Sequence, residues 1–122
     1  MGTLVPTLTL TDSTTFSDEI SFSVTDILTT ATPSTSLSTI GVTNVGANNI
    51  IQPSLDGQTR YIFIRHAGSS GTINVELTGD VVVGKLSVGE WMFMPVGGHS
   101  LGVQLQSSTG TINAEYAYWT KG

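Results

Sequence analysis

Apolar and polar side chains alternate along most of this chain, and that pattern constrains its fold more than any other feature. Thr7-Leu8-Thr9-Leu10-Thr11 and Glu19-Ile20-Ser21-Phe22-Ser23-Val24-Thr25 repeat with a period of two. So do Arg60 to Arg65, Thr72 to Leu77, Asp80 to Leu86, Glu90 to Val96, Ser100 to Gln106 and Thr111 to Trp119. A period of two sends neighbours to opposite faces of an extended backbone, so each run predicts a half-buried strand. No stretch of helical length carries the 3.6-residue period of an amphipathic helix. Gly68, Gly71, Gly79, Gly89, Gly97, Gly98 and Gly110 fall between the runs. Short strands with Gly-rich turns predict an all-β chain: an antiparallel β-sandwich, jelly-roll-like, with a hairpin meander in its C-terminal half.

Length supports a single domain over residues 1–122, large enough for one core. Residues 1–59 contain no basic residue, are dense in Thr and Ser, and are punctuated by Pro6, Pro33 and Pro53. Within them, TTATPSTSLST (29–39) reads as a loop. Residues 1–15 read as an extended arm able to add a strand to a neighbour.

One phrase occurs twice. SSGTINVEL (69–77) returns as SSTGTINAEY (107–116). Each copy follows a strand and a Ser/Gly turn, which predicts one hairpin built twice, with Gly71 and Gly110 at positive φ. Ile73 and Ile112 then point inward, while Asn74, Glu76, Asn113 and Glu115 point outward.

Motifs that look chemical lack the parts their chemistry needs. Gly98-His99-Ser100-Leu101-Gly102 fits G-x-S-x-G, but both histidines, His66 and His99, precede Ser100, and Leu101, Val103 and Leu105 continue as a strand rather than a helix. Gly79 to Lys85 approaches the phosphate-binding loop, but Leu86 stands where Ser or Thr should hold magnesium, and Val81, Val82 and Val83 favour a strand. With two histidines and no cysteine, zinc sites and disulfides are not expected; Asp18, Glu19 and Asp26 read as solvated carboxylates rather than a calcium site. His66, beside Arg65, reads as a residue at a hairpin end rather than a base. No catalytic residue, metal or cofactor is expected.

Charged residues are 11% of the chain, less than half the usual share of about 25%. The four basic residues, Arg60, Arg65, Lys85 and Lys121, are too few and too scattered for a phosphate backbone, so no nucleic-acid partner is expected. No apolar run nears the roughly 20 residues of a membrane-spanning helix, and MGTLVPTLTL lacks the basic start of a signal peptide. Such a neutral, hydroxyl-rich surface suits packing against other protein. Trp91 and Phe93 share one face of their strand, with Met92, Met94 and Val96 on the other, so this strand is expected to be covered on both sides. Trp119 points away from Tyr116 and Tyr118. Taken alone, with no second aromatic aligned beside it, it reads as an interface anchor rather than a sugar platform. The interface candidates are Trp91, Met92, Met94, Trp119, Leu8 and Leu10.

YIFIRHAGSSGTINVELTG, LSVGEWMFMPVGG and INAEYAYWTKG together resemble small virion structural proteins of tailed bacteriophages. The resemblance lies in Leu86, Gly89, Glu90, Trp91, Phe93, Pro95, Glu115, Tyr116 and Tyr118, in the C-terminal half. It implies a capsid decoration (cement) protein on the virion surface, made in the host cytoplasm. Its partner would be the major capsid protein or another virion protein. Homo-oligomers, a closed trimer among them, are expected. A tail, baseplate or fibre component is the nearest alternative, and a carbohydrate-binding or receptor-binding module the next.

Overall fold

The computed structural model describes residues 2–12, 20–46, 48–51, 59–96 and 102–122. These residues are all-β, with antiparallel pairing throughout. In chain order the strands are β1 (Gly2–Leu4), β2 (Thr7–Asp12), β3 (Ile20–Thr25), β4 (Leu28–Ser34), β5 (Ser38–Val42) and β6 (Asn48–Ile51). There follow β7 (Arg60–His66), β8 (Ile73–Leu77), β9 (Val81–Leu86), β10 (Trp91–Val96), β11 (Val103–Ser107) and β12 (Ile112–Lys121). One sheet runs β1-β4-β12-β7-β10, with β5 also paired to β12; a second runs β6-β11-β8-β9; β2 and β3 form a separate ribbon.

Alternation explains how the two larger sheets become a sandwich. Ile62 and Ile64 of β7, Ile112 and Ala114 of β12 and Val96 of β10 join Ile73 and Val75 of β8, Val103 and Leu105 of β11 and Leu86 of β9 in one buried cluster. Both sheets feed this cluster, so it lies between them. Each fully buried aliphatic side chain contributes roughly 1.5–3 kcal/mol over its exposed state.

The C-terminal half is not a run of hairpins. Of its consecutive strands only β8 and β9 pair with each other, whereas β7 to β8, β9 to β10 and β11 to β12 each leave one sheet for the other. β5 to β6 makes the same step. Neighbours in the order β5-β12-β7-β10 therefore continue as neighbours in the order β6-β11-β8-β9.

The repeated GTIN phrase marks two of these corners, running in opposite directions. Gly71 and Gly110 hold φ of 75° and 55°, as expected of the turn exit. The corners also touch: Ser108 N–H donates to the Thr72 carbonyl and Thr72 N–H donates to Ser108 Oγ, both at 2.9 Å. Inside the first corner, His66 is buried. Its Nδ1 accepts from Gly68 N–H, and its Nε2 lies 3.1 Å from the Gly71 carbonyl. A carbonyl can only accept, so Nε2 carries the proton. The duplication is thus one bent turn solved twice at a single seam.

Two expectations for the N-terminal half are corrected. Residues 29–39 are not a loop: they belong largely to β4 and β5, which follow one another along β12. At the break between them, Thr35 N–H donates to the Tyr118 carbonyl at 2.9 Å and Thr35 Oγ1 accepts from Tyr118 N–H at 3.0 Å. A hydroxyl thus takes the place of a ladder carbonyl. The described part of the 1–15 arm also pairs within the chain, β1 with β4 and β2 with β3. Residues 13–15 lie outside the described residues.

Candidate functional site

The inward turn of the isoleucines determines what the other face of the six-stranded sheet displays. Because Ile62 and Ile64 enter the core, Tyr61, Phe63 and Arg65 point away from it. The same parity sends Trp91, Phe93 and Pro95 of β10 outward, along with Glu115, Ala117 and Trp119 of β12. Strand register then lines these residues up in three rows. Pro95, Tyr61 and Trp119 form one, Phe93, Phe63 and Ala117 the next, and Trp91, Arg65 and Glu115 the last.

Diagonal neighbours make the ring contacts. Tyr61 and Phe93 lie 6.2 Å apart with planes 8° from parallel, and Phe63 and Trp91 lie 6.3 Å apart at 35°. Such pairs contribute about 0.5–1.5 kcal/mol each beyond simple burial. Arg65 donates to Glu115 at 3.1 Å. This ion pair neutralises the only charges in the three rows, and being exposed it adds at most about 1 kcal/mol. Pro95 lacks an N–H, which β10 tolerates as an edge strand of the sheet.

The β2–β3 ribbon stands over this face. Pairing of Leu8 with Val24 and of Thr9 with Ser23 sorts the ribbon into an apolar side and a hydroxyl side. On the hydroxyl side Thr7 bonds Thr25 at 3.0 Å and Thr9 donates to Ser23 at 3.2 Å. Between ribbon and sheet runs an open groove of about 740 Å³, lined by Leu8 and Val24 on one side and by Tyr61, Phe63, Phe93 and both tryptophans on the other. Trp91 stays 51% exposed at its edge. A mainly apolar groove of this size falls within the range that binds ligands or partner side chains.

The six residues singled out from sequence divide between the faces. Trp91, Trp119 and Leu8 line the groove. Leu10 is exposed on the ribbon but does not line it. Met92 and Met94 turn inward and pack against the core, so they are not on the outer face. Sequence reasoning missed Tyr61 and Phe63. Their signal was present, since residues alternating with two core isoleucines must share the opposite face. The statement that no second aromatic lines up with Trp119 is therefore corrected: Tyr61 stands directly opposite it on β7.

Elsewhere, Glu76 departs from expectation. It is 4% exposed rather than outward in solvent, because Gln104 covers it and donates to its Oε1 at 2.8 Å, and to Asp80 Oδ1 at 2.9 Å. Glu115 is half-buried, paired with Arg65. Gly79 to Lys85 forms the turn into β9 and the strand itself, the reading that the three valines favoured. Residues 98–101 of the G-x-S-x-G match, with Ser100 and His99, lie outside the described residues, as do Asp18 and Glu19. Asp26 Oδ1 accepts from Ile27 N–H at 2.8 Å. Among the described residues no three His, Asp or Glu side chains converge as metal ligands. What the outer face offers is noncovalent: stacking, burial and a little polarity at its margins.

Compared with known proteins, the chain matches no family model and has no significant similarity to a curated protein.

Proposed function

We propose that this protein is a non-catalytic structural subunit that works by packing its aromatic outer face against other protein, as a capsid decoration protein of a tailed-bacteriophage particle. The observation that carries the reading is the set of five aromatic side chains aligned on one sheet face, apart from the cluster between the sheets, with Tyr61 itself buried and Trp91 half exposed. Covering about 100 Å² of such surface stabilises a contact by about 2.5 kcal/mol, and a lattice repeats that gain at every copy. The strand orders β5-β12-β7-β10 and β6-β11-β8-β9 support a jelly-roll reading, a fold common among capsid domains. The low charge and the Leu86-Ser87-Val88-Gly89-Glu90 turn support the virion assignment. In that turn Glu90 Oε1 accepts from Ser87 N–H, setting the corner into β10. The partner is the major capsid protein or another virion protein, and copies associate around closed symmetry. Electron cryomicroscopy of the particle that carries the chain tests this. Density for the domain on the shell supports it, density confined to the tail moves it to a tail, baseplate or fibre component, and absence from the particle overturns it.

A second reading is a carbohydrate-binding or receptor-binding module, favoured by two tryptophans on one face, with the half-exposed Trp91 in a row with the polar pair Arg65 and Glu115. A glycan array run with the natural chain and Trp119→Ala decides it: specific binding lost in the variant supports a sugar platform, and none removes it.

A further inference from the structure

The groove is lined mainly by apolar side chains, and among the described residues its one charged lining residue is Asp26. Asp26 follows β3, beside Pro6, whose carbonyl accepts from Asp26 N–H at 3.2 Å. Its Oδ1 takes the Ile27 N–H, and among the described residues no cation pairs with the carboxylate. Arg65, the nearest basic group in the three rows, is already tied to Glu115. Tryptophan, tyrosine and phenylalanine rings, whose faces attract cations, line the same groove. An acidic group that shares a groove with aromatic rings is complementary to a cation on an apolar stem. Arginine fits best, since its guanidinium plane stacks on rings as well as pairing with carboxylates. The ribbon adds a second recognition element. It is a two-stranded sheet, so among the described residues its outer edges carry backbone groups with no strand partner, which an extended chain can satisfy.

From these features we infer that the groove receives an extended segment of a partner protein, one that places an arginine or lysine between Asp26 and the aromatic floor. The inference rests on the packing function proposed above and names what the packed partner presents. Apolar contact with the rings supplies most of the affinity, and Asp26 supplies most of the preference for positive charge.

The probes are acetyl-Leu-Arg-Leu-amide and its citrulline counterpart, which has the same shape without the charge. Trp91 and Trp119 are the chain's two tryptophans and both line the groove, so intrinsic fluorescence reports occupancy. The arginine peptide should titrate the signal at a concentration at least about tenfold lower than the citrulline peptide, roughly the scale of one desolvated cation–π contact. Asp26→Asn, whose amide oxygen can still accept from Ile27 N–H, should narrow that gap several-fold, leaving only what the rings alone confer. Equal titration by both peptides, no titration by either, or a preference undiminished in Asp26→Asn overturns the inference. None of those results bears on the packing function itself, which the shielding of the tryptophans in the assembled form decides separately.

Discussion

At the scale of single residues, the two GTIN corners look equivalent in sequence and are not equivalent in space. A Cβ on Gly71 would sit 2.8 Å from Ile112 Cδ1 and 3.1 Å from Ser108 Oγ, whereas a Cβ on Gly110 would meet nothing within 4 Å. Both positions hold positive φ, which disfavours alanine by about 1–2 kcal/mol. Only Gly71 adds the cost of pushing aside a core isoleucine and a neighbouring turn. Urea denaturation should show Gly71→Ala losing roughly 2–4 kcal/mol and Gly110→Ala only about 1–2 kcal/mol. Equal losses would mean that the corners are not docked as described. The need for glycine at both turns was legible in the sequence. The contact between them was not, because Ser108 and Thr72 are far apart in the chain and meet only when both strands change sheet. The burial of Glu76 was hidden for the same reason: its cover, Gln104, arrives on another strand.

At the scale of elements, the strands that alternate apolar and polar residues were readable, and those made of Thr and Ser were not. β7, β8 and β12 carry the isoleucines that betray a buried face. β4 (LTTATPS) has no such rhythm and contains Pro33, so it imitated a loop. It is a strand because β1 and β12 pair with it on either side, and tertiary pairing outweighs a weak local preference. The junction of β4 and β5 depends on one hydroxyl. Thr35→Val should leave the Tyr118 N–H without its acceptor and cost about 1–2 kcal/mol, while Thr35→Ser, which keeps the oxygen, should cost clearly less. Thermal or urea unfolding of the two variants separates these outcomes. If valine and serine prove equally tolerated, water serves the amide as well as Thr35 does, and the hydroxyl is not what joins the two strands.

At the scale of the whole molecule, the same alternation that builds the core also builds the aromatic face. On β7, β10 and β12 the residues that alternate with the core-facing ones stand on the outer face, and they include tyrosine, phenylalanine and tryptophan. The fold class followed from the periodicity of the sequence. The site did not, because it depends on which strands lie side by side, and no single strand shows that Tyr61 will stand next to Trp119. Acrylamide quenching of tryptophan fluorescence tests the central claim most directly, since Trp91 and Trp119 both report from the groove. The free chain should be readily quenched, with Trp91 at half exposure, and the chain in its native assembly should be shielded several-fold. Identical quenching in the two states would place the aromatic face in solvent throughout and contradict the account.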